Sequence, residues 1–126
     1  MSMQRVDLIV ASLGEREQPV ILLLSQRGRW TLPSALCGQG CQTWRLALAL
    51  LANLIGPCPG QRVWLLGCWP PAAAYLALIP GPAQVVGGRW WPAKEAAALL
   101  TGQETWFIRR ARQWLADGGA SRRGIV

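Results

Sequence analysis

At 126 residues the chain is most simply one compact domain, long enough for a single core and too short for two comfortable ones. Thirteen Lys and Arg against six Asp and Glu give a formal charge of +7, a field that attracts polyanions or acidic protein faces without naming one. There is no histidine, so the usual nucleophile and base arrangement is incomplete, while 52% hydrophobic residues against 15% charged leave apolar surface for a partner.

Met1-Ser2-Met3-Gln4-Arg5 lacks the basic patch, apolar core and small-residue cleavage site of a secretory signal, and the expected location is cytoplasmic. Val6 to Ser12 and Val20 to Ser25 read as paired strands around the polar stretch from Gly14 to Pro19. The second strand leads through Gln26-Arg27-Gly28-Arg29 to Trp30, and Pro33, which has no amide hydrogen, is expected to end the ladder before a loop over Ser34 to Gln42. From Thr43 to Ile55 the run is Leu and Ala with almost no β-branched residue, a helix that Gly56 and Pro57 stop. Its apolar stretch, Leu46 to Ile55, is only about half of the roughly 20 residues that cross a bilayer, so no membrane insertion is expected.

Gln61 to Trp69 and Ala74 to Ile79 are two further strands joined through Pro70-Pro71, and Arg89 to Trp91 is a short extended piece. Pro92 suits the first turn of a helix running to Leu100, with Glu95 favourably placed at its dipole. Thr101-Gly102-Gln103-Glu104 has the spacing of a capping box and is expected to open a last helix, which Gly118-Gly119 ends. The domain is expected over 1–119, with a basic tail over 120–126.

Four cysteines suggest a metal site, but a helix of about 12 residues separates Cys41 from Cys58 by roughly 18 Å, too far for one ion. The cysteines read as free, partly buried thiols, a Cys37–Cys41 disulfide being the alternative.

Trp30-Thr31-Leu32-Pro33, the loop, the helix closed by Gly56 and the downstream Arg89-Trp90-Trp91-Pro92 segment together resemble the Nudix family. The resemblance covers nearly the whole chain and implies an α/β fold, a Nudix-like mixed sheet sandwiched between helices. The family motif, Gly, five residues, Glu, seven residues, Arg-Glu, an apolar residue, any residue, Glu-Glu, any residue, Gly, falls on Ala35 to Gly56. Its four glutamate positions hold Cys41, Leu50, Asn53 and Leu54, and its arginine position holds Ala49. Active members of the family use those glutamates to hold Mg²⁺ or a similar hard cation, and such an ion requires oxygen ligands. Leucine offers none, and a cysteine sulfur is too soft. Among the six acidic residues, Asp7, Glu15, Glu17, Glu95, Glu104 and Asp117, no cluster emerges to replace them.

The resemblance therefore implies a Nudix-like protein without hydrolase chemistry and with no metal or cofactor. It is expected to act as a binding or assembly subunit of a larger complex, through an apolar former active-site cleft and a basic C-terminal helix. The cleft candidates are Trp30, Cys41, Leu50, Asn53, Leu54, Trp90 and Trp91, with collapse of neighbouring loops onto Leu50 and Leu54 as the plainer outcome. Arg109, Arg110, Arg112, Arg122 and Arg123 form the basic patch, whose alternative is a solvated helix face and tail. The rival functions are a nucleotide- or RNA-binding module, and a residual hydrolase of nucleoside diphosphate derivatives with atypical ligands.

Overall fold

The structure, a computed structural model, describes residues 4–13 and 18–117. The first strand, β1 (Gln4–Leu13), is buried on both faces, which is why it reads as a continuous apolar run rather than an alternating one. It pairs in parallel with β6 (Ala72–Ile79) over Arg5 to Ser12. Its other edge is shared by β2 (Pro19–Gln26) at Ala11 to Leu13 and by β4 (Ser34–Cys37) at Gln4 to Asp7, both antiparallel. β3 (Arg29–Thr31) folds back on β2 through Arg27 and Gly28, both at positive φ, the two-residue turn whose twist matches a hairpin. β7 (Gly88–Pro92) pairs with β2, and β5 (Trp64–Trp69) closes the far edge against β6 with an irregularity between Leu65 and Gly67. The result is a seven-stranded mixed sheet.

Strand alternation sends side chains to two cores. On one face Val6, Leu8, Val10, Leu22, Ala73, Tyr75 and Ala77 pack with Ala47 and Leu51 of the helix α1 (Thr43–Ile55). On the other, Ile9, Ala11, Ile21, Leu23, Ala74 and Leu76 meet α2 (Ala93–Leu99) and α3 (Gln103–Ala116) through Ala93, Ala96, Phe107, Ile108 and Ala111. Small residues on β6 and Gly67 on β5 admit bulky partners from α3: a Cβ at Gly67 would stand 3.0 Å from the Trp106 ring. No described helix is long and apolar enough to cross a membrane.

Helix α1 has the bounds expected of it, and the N–H of Gly56, at φ 93°, closes it on the Ala52 carbonyl. Three expectations are corrected. Pro33 does not leave a loop behind it: its carbonyl accepts the Leu8 amide at 2.8 Å, and the chain resumes pairing at Ser34 as β4. β5 starts at Trp64 rather than Gln61, whose side-chain amide instead donates to the Leu78 carbonyl. β6 starts two residues earlier, at Ala72. The Gly118-Gly119 stop and the tail over 120–126 lie outside the described residues, as do Glu15 and Glu17.

Candidate functional site

The positions of the resembled motif lie along α1 and the turn before it. Leu50 and Leu54 are half-buried and, with Leu46 and Ile55, pack against the core on that face of the sheet, so two of the three helix positions at which the motif has glutamate are turned toward the core. Ala49 and Asn53 are exposed. Cys41 is exposed too, but its sulfur is bonded to that of buried Cys37. This corrects the expectation of four free thiols. The two residues are brought together because Cys37 ends β4 and Cys41 closes the following turn, where its amide bonds the Gly38 carbonyl. A disulfide sulfur has no thiolate to give a metal. Among the described residues only Cys58 and Cys68 are free cysteines, and no group of three or more His, Cys, Asp and Glu could hold an ion.

The cleft candidates do not form one set. Trp30 and Trp91 meet edge to face, centroids 5.3 Å apart, on the α2–α3 side, and the Arg89 guanidinium covers Trp91 at 4.5 Å. Trp90 points to the opposite face, with Leu50 and Leu54, and its indole donates to the Ala83 carbonyl at 2.7 Å. Adjacent residues of a strand face opposite ways, so Trp90 and Trp91 cannot line the same cleft. The structure thus divides the expected cleft between two surfaces.

A polar corner that sequence reasoning missed lies on the α3 side. The expected capping box does not form: α3 is preceded by Gly102, and Glu104 reaches across the fold to accept the buried Leu32 amide at 2.8 Å. Beside it, Arg5 forks onto Asp7 at 3.0 and 3.1 Å and donates to the Gln103 side chain at 2.8 Å. Burial pushes the Asp7 carboxyl above its ordinary value, against the opposing pull of the Arg5 hydrogen bond and charge. Burial also raises Glu104; the Leu32 hydrogen bond opposes this, and the Asp7 charge adds to it. The available signal was Asp7 itself, a carboxylate inside an otherwise apolar strand. Outside the corner, Gln26, Arg27, Arg29, Thr31 and Glu104 line an open hollow of about 710 Å³.

The expected basic patch is divided as well. Arg109 and Arg112 lie with Leu13, Pro19, Gln113, Leu115 and Ala116 around a groove of about 550 Å³. Arg110 turns away to donate to the Leu66 carbonyl at 3.1 and 3.3 Å, with its guanidinium over Trp106. Arg122 and Arg123 lie outside the described residues.

These elements make up the Nudix fold. The C-terminal domain of mouse MUTYH, solved in complex with human PCNA, is similar at TM-score 0.73 and 19% identity, over 90% of this chain and 89% of that one. A mutT/nudix family protein from Listeria innocua is similar at TM-score 0.75 and 14% identity, over 91% and 94%. An Ap4A hydrolase of C. elegans in a binary complex is similar at TM-score 0.68 and 14% identity, over 92% and 99%. No protein-family model and no curated protein matches the sequence, so the likeness is one of fold.

Proposed function

We propose that this chain is a Nudix-fold binding module that does not hydrolyse diphosphates and that serves as a subunit or regulator by contacting another protein. The observation that carries the reading is the state of the motif positions. Leu50 and Leu54 pack against the core, the exposed Cys41 is bonded to Cys37, and the exposed Ala49 and Asn53 carry no charge. Divalent metal stabilises phosphoryl charge by several kcal/mol, and forgoing about 5 kcal/mol lowers a rate by three to four orders of magnitude. The PCNA complex of the MUTYH domain supports a protein partner, since there a domain of this fold is joined to another protein. Of the two surfaces expected to carry the contact, α1 commits Leu50 and Leu54 to the core while α3 keeps Arg109 and Arg112 exposed, and we assign the contact to α3.

A second reading, a nucleotide or RNA ligand, draws on the hollow beside Arg27, Arg29, Thr31 and Glu104, where two guanidinium groups face one carboxylate. Two assays separate the readings. Incubation with ADP-ribose, diadenosine tetraphosphate and nucleoside diphosphate derivatives in Mg²⁺ or Mn²⁺ is expected to leave them intact, and robust turnover would refute the proposal. Labelled RNA at low salt is expected to stay unbound, whereas a salt-sensitive complex lost in an Arg27→Glu/Arg29→Glu variant would favour the second reading.

A further inference from the structure

We infer that the groove between the end of β1 and α3 docks a short acidic segment of another protein, anchored by an aliphatic side chain. The inference rests on the binding-module reading and names the chemistry of the partner. Arg109, Arg112, Gln113 and Ala116 are spaced to share one side of α3, and Leu13, Pro19 and Leu115 supply apolar walls. Leu13, one of seven large apolar side chains left open among the described residues, is 50% exposed. An aliphatic side chain seated between Leu13 and Leu115 would remove that surface from water.

The charges at the rim decide what flanks the anchor. Arg5 and Arg110 are engaged by Asp7, Gln103 and the Leu66 carbonyl, whereas Arg109 and Arg112 are exposed and have no ion-pair or hydrogen-bond partner among the described residues. Guanidinium forks match carboxylates in geometry, and the +7 charge of the chain draws an acidic segment toward them. A nucleic acid fits less well. Single strands are held by aromatic platforms and a track of cations, and none of the described residues lining the groove is aromatic.

The test pans a library of random short peptides, displayed on phage, against the immobilised full chain, then measures a synthetic peptide of the recovered consensus by fluorescence anisotropy. The recovered sequences are expected to carry acidic residues on either side of a Leu, Ile or Met. Arg109→Glu/Arg112→Glu is expected to weaken the peptide by about tenfold or more, with Leu13→Asp weakening it too and Arg29→Glu leaving it unchanged. Arg109, Arg112 and Leu13 are exposed, and an unaltered circular dichroism spectrum and melting temperature would verify that the variants fold. Recovery of peptides without acidic residues, indifference to the double variant, or displacement of the peptide by polyuridylate RNA would each overturn the inference. Such a failure with ADP-ribose still intact removes this groove alone, whereas hydrolysis of ADP-ribose removes the reading beneath it.

Discussion

On the α1 face of the sheet the buried side chains carry no charge: the cluster is apolar apart from Tyr75, whose hydroxyl meets Thr43 at 2.6 Å, and strand alternation adds only the hydroxyl of Ser12 to that side. On the α2–α3 face, the same alternating strands bury Asp7 and bring Glu104, Arg5 and Gln103 beside it. The two faces thus handle charge in opposite ways, and the difference follows from what each helix has to satisfy. Helix α1 covers strands whose backbone groups are paired within the sheet, so aliphatic side chains suffice. Helix α3 lies over the break between β3 and β4, where the ladder stops at Leu32 and Pro33 and leaves the Leu32 amide in need of an acceptor. A carboxylate is retained where the backbone needs it, and none stands at the motif positions.

The largest effect expected of this contrast comes from returning a charge to α1. Leu54→Glu withdraws a half-buried leucine from the core and sets a carboxylate against it, at a cost of about 2 kcal/mol in unfolding free energy. Urea denaturation with and without Mg²⁺ is the measurement. A variant as stable as the parent, or one stabilised by Mg²⁺, would mean that the α1 face still has room for an ion and would break the contrast.

A smaller effect is expected at the polar corner. Glu104→Ala leaves the buried Leu32 amide without an acceptor, a loss of about 1–2 kcal/mol, and Glu104→Gln, which keeps a carbonyl oxygen there, recovers most of it. The pH dependence has a definite sign. Asp7 and Glu104 have raised folded-state values, so in that window the folded chain binds more protons than the unfolded one. Their contribution to stability therefore grows as pH falls from neutral through the raised values, and it levels off below the ordinary ones. Glu104→Gln should remove its share of that slope. An unchanged slope would show that the carboxylate is not held in a buried setting.

Much of the frame was legible in the sequence because its signals are local. Thr43 to Ile55 is a leucine and alanine run between a polar turn and Gly56-Pro57, and nothing distant was needed to place it. Ser34 to Cys37 was not legible as a strand, because four residues after a proline carry no periodicity and their pairing comes from Gln4 to Asp7, thirty residues away in the chain. Glu104 misled for the same reason: its spacing from Thr101 satisfies a local cap, while its actual partner is the amide of Leu32. The division of Trp90 from Trp91 follows from strand alternation, which the extended piece Arg89 to Trp91 already implies for adjacent residues.

The finest test separates two neighbouring arginines of the basic patch that the sequence joins. Arg109 is exposed with no partner among the described residues, so Arg109→Ala is expected to move stability by less than about 0.5 kcal/mol. Arg110 is exposed as well but holds the Leu66 carbonyl beside the β5 irregularity and covers Trp106, which itself packs close against Gly67. Arg110→Ala therefore loses a charge-assisted hydrogen bond and a stacked contact at the edge of the sheet, about 1 kcal/mol in a thermal or urea melt. Equal effects at the two positions would mean that the edge carbonyl is as well served by water as by arginine. A larger effect at 110 makes that residue part of the fold, and leaves Arg109 and Arg112 as the charges that α3 keeps for a partner.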